Sequence, residues 1–353
     1  MSAVPPTEVR VSQGSDGKPE GTSQMAAPVP PRKGKVARHC KRFWWVYALV
    51  FVLAVILVPT LVILVGVPNL MQKRVNESKV TISRIAMTNP TNDSFLLSAD
   101  STISTPGSTH ATIFPFEAEL SLAEDGFDYP FGSITFPKNK SSKNTTTLID
   151  QTVQITNVTA LTAFNGWLLA KETVRLRIKG KPKLKISGLS RKYKMNFNKV
   201  VELKGLNSFS GLTVSNASIS LSATNNFRAE ASIPNPSVIT LAIGNTTFVN
   251  SFNGSSLGNV YIDNLILVPG MNNYSIRATI DQAPVTTAIM SEPYCKTGVM
   301  PFTMTGSDVV YNGYNISYFR NALAAEALPV NIDVGSALSK LGLNVTCPSS
   351  SDS

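Results

Sequence analysis

Cysteine, histidine and charge are all scarce in this sequence of 353 residues. It contains three cysteines and two histidines, and charged side chains make up 15% of it. No CxxC or HExxH pattern, phosphate-binding loop or glycine-rich dinucleotide motif is present. The residues therefore predict no cofactor, no metal and no catalytic residue. Since 43% of the residues are hydrophobic, most of the chain can still bury a core.

A hydrolytic triad after the apolar run described below would have to use His110, because His39 precedes that run. His110 lies in a strand edge or loop, and no nucleophile elbow accompanies it. Glu117 and Glu119 share one face of a predicted strand. With Glu124, Asp125 and Asp128 they match no calcium loop, so we interpret them as a solvated strand and turn.

One apolar run is long enough to cross a membrane. It extends from Phe43 to Val67, 25 residues without a charged side chain, and about 20 suffice for a helix. Phe43, Trp44, Trp45 and Tyr47 cluster at one end, as aromatic residues do at a headgroup boundary. A cleaved signal peptide is excluded because 42 residues precede the run and the run is too long.

Basic residues crowd the N-terminal side of this run, which predicts a cytosolic N-terminus and places residues 68–353 in a lumen or outside the cell. Residues 1–38 are rich in Pro, Gly, Ser and charge, and we expect a disordered tail. Cys40 lies among basic residues just before the span. It is either a palmitoylation site or an unmodified thiol.

Asn-x-Ser/Thr sequons are dense after the span and predict an N-glycosylated ectodomain. Asn76 begins an eleventh sequon, close to the membrane. The ten that we expect to carry glycans are Asn92, Asn139, Asn144, Asn157, Asn216, Asn245, Asn253, Asn273, Asn315 and Asn344. Chance in a chain rich in Ser, Thr and Asn is the alternative explanation for some of them.

Two of the three cysteines, Cys295 and Cys347, follow the span. In an oxidising compartment they predict one disulfide that ties the C-terminal segment to the domain.

Short alternating apolar segments, separated by Gly, Pro and Asn, follow the span and predict a mainly β fold of sandwich type. Helical patterns occur at 317–328 and 334–342, and a weaker one at 163–172. Asn89-Pro90 and Asn235-Pro236 are 146 residues apart in similar contexts. A strand ending at Gly180 likewise matches one ending at Gly306. We infer two tandem sandwiches, 72–203 and 204–347, before a disordered end at 348–353, with each Asn-Pro at a strand edge or bulge.

Residues 231–281 resemble a fungal domain of unknown function. The features that carry the resemblance are Asn235-Pro236-Ser237, Ile243-Gly244, Asn264-Leu265 and Pro269-Gly270-Met271-Asn272. Residues 206–219 resemble the segment that precedes this domain, and the first half is similar only through the repeat.

That family is similar to a group of vacuolar-membrane proteins in yeasts linked to control of autophagy. It is distantly similar to the late-embryogenesis-abundant type 2 domains of plants. Those are immunoglobulin-like sandwiches with a helix, and some are proposed to bind lipid between sheet and helix. The resemblance thus implies tandem immunoglobulin-like sandwiches on the vacuole membrane, another endomembrane or the cell surface, with no catalytic residue to transfer.

A basic strip, "RLRIKGKPKLK", has a basic residue at every odd position: Arg175, Arg177, Lys179, Lys181, Lys183 and Lys185. The pattern predicts a hairpin of strands 173–179 and 183–187, with Leu176, Ile178, Leu184 and Ile186 facing the core. Nucleic acid is disfavoured because the strip follows the span. Either the charges protect a sheet edge from pairing, or they contact lipid headgroups or an acidic partner.

The sequence therefore predicts a non-enzymatic, single-pass membrane glycoprotein whose β-sandwiches bind a lipid ligand or a lumenal protein partner. A structural or signalling protein, whose tail recruits cytosolic partners, is the alternative. A lumenal hydrolase using His110 is a third function class.

Overall fold

The computed structural model describes residues 35–106, 110–124, 129–220 and 222–348, with side chains from Phe43 onward. The predictions for the tail up to residue 34, for the end from residue 349, and for Asp125, Asp128 and the Cys40 side chain lie outside these residues. The first helix begins at Lys35, within the range expected for the tail.

An unbroken helical segment opens the described chain. Helix α1 (Lys35–Leu61) continues through a π-helical turn (Val62–Gly66) into helix α2 (Val67–Glu77). Its stretch Phe43–Glu77, 35 residues, is long and apolar enough to cross a membrane. The helix extends ten residues beyond the predicted end at Val67, because α2 packs against a β-sheet that supplies apolar contacts.

The described residues of the first half of the β-rich part form eleven strands and one helix. In chain order they are β1 (Lys79–Thr88), β2 (Ser94–Ser104), β3 (Ala111–Ile113), β4 (Phe116–Leu122), β5 (Pro130–Phe136), β6 (Asn139–Ser141), β7 (Asn144–Gln154), α3 (Val158–Ala170), β8 (Thr173–Gly180), β9 (Lys183–Ile186), β10 (Lys192–Lys194) and β11 (Phe197–Lys204).

The second half follows a 3-10 turn (Asn207–Phe209). Its elements are β12 (Thr213–Ile219), β13 (Phe227–Asn235), β14 (Ile239–Phe252), β15 (Ser255–Leu267), β16 (Gly270–Ile280), α4 (Gln282–Ile289), α5 (Tyr294–Thr297), β17 (Val299–Tyr311), β18 (Tyr314–Asn315), α6 (Ser317–Ala324), β19 (Ala327–Asp333) and α7 (Val334–Ser339). The fold is mainly β, as the sequence predicts.

The first half is a two-layer sandwich. Strands β1, β2 and β7 form one layer, and β11-β8-β4-β5 form the other. Alternate residues of both layers, such as Phe95, Leu120 and Leu176, are buried between them with Phe164 of α3. A separate small sheet has the order β10-β9-β3-β6.

The second half is a strongly curved sheet. Its strands run in the order β12-β13-β16-β15-β14, and β17 and β19 continue beyond β14. Side chains of opposite ends of this order, among them Val214, Ile276, Phe302 and Val330, line one common interior. The sheet therefore encloses its own core, as sandwich-type packing requires.

The two halves are joined by direct pairing. Ile85 of β1 lies opposite Ile239 of β14 in a parallel pair, and Met87 lies opposite Leu241. Helix α3 also packs against α6, and one buried apolar cluster runs through both halves. The residues from Leu61 onward form one compact unit. We call the part of this unit from Lys79 onward the β body. The predicted boundary at 203/204 falls within β11, before its last residue.

Gly180 ends β8 as predicted, whereas Gly306 lies within β17, which continues to Tyr311. Both glycines permit a close approach. A Cβ on Gly180 would lie 2.8 Å from the Glu117 carbonyl oxygen, and one on Gly306 would lie 2.5 Å from Leu323 Cβ. These spacings are too short for a larger residue, so the repeated glycine has a packing cause.

The Asn-Pro segments lie at strand ends. Asn89 follows β1 with a positive φ of 47°. Asn235 ends β13, and its buried amide donates to the Ile239 carbonyl at 2.8 Å while its oxygen accepts from the Ser237 N–H. The side chain thus satisfies backbone groups where the following Pro ends the ladder.

Candidate functional site: the lysine face and the helix junction

The basic strip does not form the predicted hairpin. Strand β8 pairs with β4 and β11, whereas β9 pairs with β3 and β10, so the two strands belong to different sheets. Residues 181–182 carry the chain from one sheet to the other. The inward assignment is confirmed for Leu176, Ile178 and Leu184, which are buried, while Ile186 is half-buried. The predicted hairpin does not form because each of its two strands pairs with a strand that is distant in sequence.

The β8 part of the strip lies among carboxylates. Arg175 donates two hydrogen bonds to Glu124, at 2.9 and 2.6 Å, and Lys179 lies opposite Glu119. The pKa of Glu124 is held below its ordinary value chiefly by the hydrogen bonds from Arg175 and further by its charge, against the opposing effect of burial. This part of the strip is therefore neutralised locally.

The small sheet has a different surface. Its outer face carries five exposed lysines, which we call the lysine face: Lys140, Lys183, Lys185, Lys192 and Lys194. Lys185 lies directly opposite Lys192, and Lys183 opposite Lys194. None of the five forms an ion pair with a described carboxylate, although Lys192 lies 4.1 Å from the Phe114 ring centroid. Directly opposed like charges destabilise a sheet, so the repulsion within these two lysine pairs lowers the stability of the small sheet.

The inner face of the small sheet packs on helix α2. Leu184, Tyr193 and Met195 form a buried cluster with Met71, and Val67 and Val75 pack against it. The hydroxyl of Tyr193 donates to the Ile63 carbonyl at 3.1 Å, within the π-helical turn. The helix and the small sheet are therefore one packed unit.

Polar contacts extend this junction to β11. Lys199 Nζ donates to the carbonyl oxygens of Asn76 and Ser78 at 2.8 and 2.5 Å. Gln72 donates to the Asn196 carbonyl and accepts from the Asn196 N–H, both at 2.8 Å. Partial burial lowers the pKa of Lys199. A cation at the last carbonyls of a helix is favourable, so these bonds fix the direction in which the helix enters the sheet.

Sequence reasoning missed Tyr193, Lys192, Lys194 and Lys140 as members of this surface. The segment Lys192–Met195 alternates basic and apolar residues, which is a signal for a strand with one charged face. Lys140 is distant in sequence and gives no such signal, because only the pairing of β3 with both β6 and β9 brings it into the row of Lys185 and Lys192.

The cysteine prediction is confirmed. Cys295 of α5 and Cys347 are bonded, with their Cα atoms 5.1 Å apart. The bridge holds the C-terminal segment against the second half, as expected.

The ten sequon asparagines are all accessible to some degree. Eight are exposed, and Asn139 and Asn157 are half-buried. The buried asparagines, at positions 165, 226, 235, 250 and 272, begin no sequon. Asn157 caps α3 through its oxygen, which accepts from the Ala160 N–H at 2.9 Å, so its amide nitrogen stays available.

The residues considered for catalysis do not converge. His110 is exposed just before β3, and its carbonyl accepts from the Ser187 N–H at 3.0 Å. Glu117 and Glu119 share the outer face of β4, and Glu117 accepts from the Ser133 hydroxyl. Among the described residues no three His, Cys, Asp or Glu side chains are grouped so as to hold a metal ion.

The cavities lined mainly by apolar side chains are small. The cavity between the layers of the first half has a volume of about 50 Å³, and the one within the second half about 30 Å³. A third, of about 70 Å³, lies between α2 and the first half beside Met71, Ile113 and Phe197. Sites for drug-sized ligands have about 300–1,000 Å³, so none of these holds an acyl chain.

A family model described as "Protein of unknown function (DUF3712)" matches residues 129–250. The match runs from β5 into β14. It includes Asn235-Pro236-Ser237 and Ile243-Gly244 and ends before Asn264-Leu265.

The comparison with curated proteins gives no match. Two solved structures of a bacterial adhesin from Mobiluncus mulieris, containing intramolecular disulfide, isopeptide and ester bond cross-links, are similar to this chain at 9% and 7% identity. They cover 65% and 70% of this chain and 80% and 82% of their own, with a TM-score of 0.20 in both cases. A similarity at that TM-score carries no argument about fold or function.

Proposed function

We propose that this protein is a non-enzymatic, single-pass membrane glycoprotein whose β body binds a partner close to the membrane surface. The observation that carries the proposal is the helix junction. The apolar helix enters the β body without a linker. Tyr193 and Lys199 donate to its backbone carbonyls, and Gln72 of the helix donates to the Asn196 carbonyl. The β body therefore begins where the apolar helix ends, which favours binding that depends on proximity to the bilayer.

The N-terminus is cytosolic and the β body lumenal in this proposal. The basic residues before Phe43 support this orientation through the positive-inside bias. The Cys295–Cys347 bond and the accessible sequons support an oxidising, glycosylating compartment. The vacuole membrane and a connection to autophagy control rest on the resemblance to the yeast group, and other endomembranes or the cell surface remain within the proposal.

Binding takes place on the surface of the β body. The apolar cavities of about 50 and 30 Å³ do not favour a lipid held between sheet and helix, as proposed for some plant relatives of the family. A protein partner or the membrane itself is then the natural ligand. Recovery of one bound lipid per chain from the β body by native mass spectrometry would contradict this choice.

Topology and site of action can be tested together in intact vesicles of the native membrane. We expect external protease to remove an epitope placed before residue 35 and to leave the β body protected. The protected fragment should lose mass with endoglycosidase. Digestion of the β body with retention of the tail would overturn the orientation.

Deletion of residues 1–34 separates binding from signalling. We expect a cell with the deleted chain to retain the function of the full chain, measured as autophagic flux, whereas a cell that lacks the chain loses it. Loss of the function on deletion of the tail alone would favour the signalling alternative instead.

A further inference from the structure

We propose that the lysine face binds the headgroups of anionic phospholipids in the leaflet at which the apolar helix ends. The inference goes beyond the proposed function, because it identifies a surface and a chemical class of ligand and does not depend on the compartment. It rests on the charge of the small sheet and on the depth at which that sheet meets the helix.

The depth follows from the helix. Ile63 is 21 residues after Arg42, the last charged residue before the apolar run. At a rise of about 1.5 Å per residue this is roughly 30 Å, the thickness of a hydrocarbon core. The Ile63 carbonyl therefore lies near the far boundary of that core, and it accepts the hydrogen bond from Tyr193. A tyrosine at this boundary is in the position that aromatic residues favour.

The lysines lie at the same level. Lys192 and Lys194 flank Tyr193 on β10, the edge strand of the small sheet. Lysine stems are long enough to place their ammonium groups at the headgroup layer while the strand stays beside it. Lys185 and Lys183 continue the two rows onto β9, so the positive charge extends from β10 across the neighbouring strand.

Among the described residues, no carboxylate forms an ion pair with a lysine of this face. The thirteen residues of the four strands, 111–113, 139–141, 183–186 and 192–194, contain no Asp or Glu, unlike the surface around Arg175. Anionic headgroups would relieve the repulsion of the opposed pairs Lys185–Lys192 and Lys183–Lys194. Each lysine close to an anionic surface strengthens binding about fivefold.

The sequon in the small sheet lies at the edge farther from Tyr193. Asn139 begins a sequon on β6, the strand at the other edge of the small sheet. Three strand spacings separate β6 from β10, or about 14 Å. A glycan on Asn139 would therefore lie on the side away from the Tyr193 edge.

The first test measures amine reactivity in the full chain. The protein is placed in nanodiscs of phosphatidylcholine alone or with about one third phosphatidylserine, and acetylation of each lysine by a water-soluble reagent is followed by mass spectrometry. We expect acetylation of Lys185, Lys192 and Lys194 to slow at least fivefold in the anionic discs. One molar salt, with a Debye length of about 3 Å, should remove the difference.

Lys204 and Lys296 serve as internal controls. Lys204 ends β11, seven residues from Phe197, or about 23 Å along the strand, and Lys296 pairs with Glu292 at 2.8 Å. Their rates should be equal in the two lipids. Equal rates at the lysine face as well would overturn the proposal. Protection by soluble polyglutamate, without a difference between lipids, would overturn it in favour of an acidic protein.

The second test uses matched variants. Lys185→Gln, Lys192→Gln and Lys194→Gln are combined in one chain, and Lys171→Gln, Lys204→Gln and Lys296→Gln in the other, so both lose three charges. We expect the first to retain phosphatidylserine at least tenfold less well than the wild type on washing in neutral detergent, and the second to be unchanged. An equal loss in both would show that only net charge matters and overturn the proposal. Because the discs expose both leaflets, neither test depends on the proposed orientation.

Discussion

The Nζ of Lys199 lies 2.8 Å from the carbonyl oxygen of Asn76, in the last turn of the helix that leaves the apolar run. The same ammonium group binds the carbonyl oxygen of Ser78. One side chain of β11 therefore satisfies two carbonyls at the end of α2 and holds the helix against the sheet. This contact therefore attaches the end of α2 to strand β11 of the β body.

Substitution Lys199→Met should loosen that junction. The methionine keeps most of the apolar stem and leaves both carbonyls without this donor, at a cost of about 1.5–3 kcal/mol for bonds to a charged group. We expect amide hydrogen exchange in residues 70–77 to accelerate at least tenfold, measured by mass spectrometry. Lys204→Met, at an exposed position of the same strand, is the control and should change exchange little. Equal effects of both variants would contradict the role given to Lys199.

Substitution Ile239→Ala should destabilise both halves of the β body together. Ile239 is 1% exposed at the start of β14, opposite Ile85, and truncation of such a residue costs about 2–5 kcal/mol. Because the apolar core is continuous, we expect protection from hydrogen exchange in β2 and β16 to fall by the same free energy. Leu343→Ala, at a side chain 53% exposed, is the control. A loss of protection confined to the second half would mean that the halves unfold independently.

Removal of the disulfide should cost about 4 kcal/mol in the chain-entropy model for a separation of 52 residues. The variant that combines Cys295→Ser with Cys347→Ser should unfold at lower denaturant concentration than the wild type. Addition of reductant should shift the wild type towards the variant and leave the variant unchanged. Cys40→Ser is the matched control, and an equal shift from it would argue against the assigned pairing.

Asn157 allows the effect of a glycan to be separated from that of a helix cap. Asn157→Asp keeps an acceptor for the Ala160 N–H and removes the sequon, and Thr159→Ala removes the sequon while retaining the Asn157 cap. Asn157→Ala removes both, and loss of an N-cap costs about 1 kcal/mol. We expect all three to lose the same glycan mass and only Asn157→Ala to lose that further stability in deglycosylated protein. A loss of stability of equal size in Asn157→Asp would contradict the role of Asn157 as the N-cap of α3.

The Glu124–Arg175 pair should contribute to stability in a pH-dependent way. Arg175 lowers the folded-state pKa of Glu124 below the ordinary 4.5, so the contribution is present above that value and is lost as the pH falls through the lower folded pKa. Because about half of the Arg175 side chain is exposed to solvent, 48%, the contribution is at most about 1 kcal/mol. Urea unfolding at pH 7 and pH 3 should therefore show a smaller acid-induced loss in Glu124→Gln than in the wild type. An identical acid-induced loss of stability in the variant and the wild type would show that this pair does not contribute to the pH dependence.

Much of the fold could be predicted because its signals are local. Alternation of apolar residues identified strands such as β1, β8 and β15, and a charge-free run of 25 residues identified the apolar helix. The helical pattern at 317–328 was partly wrong: α6 ends at Ala324, and residues from Ala327 form β19. Helix α6 ends there because the residues that follow pair with β17 along Val299–Thr305. Pairing with a strand so distant in the chain cannot be predicted from the local sequence.

The sequence by itself determined the apolar helix, the β-rich character, the cysteine pair and the exposure of the basic strip, because these depend on composition, spacing and the period of single strands. Only the tertiary structure decided how the strip is divided. It gave Arg175 a carboxylate and assembled Lys183 and Lys185 with Lys192, Lys194 and Lys140 on one sheet. Strand partners are chosen by packing over the whole domain, and the charge that remains unneutralised is known only when those partners are known.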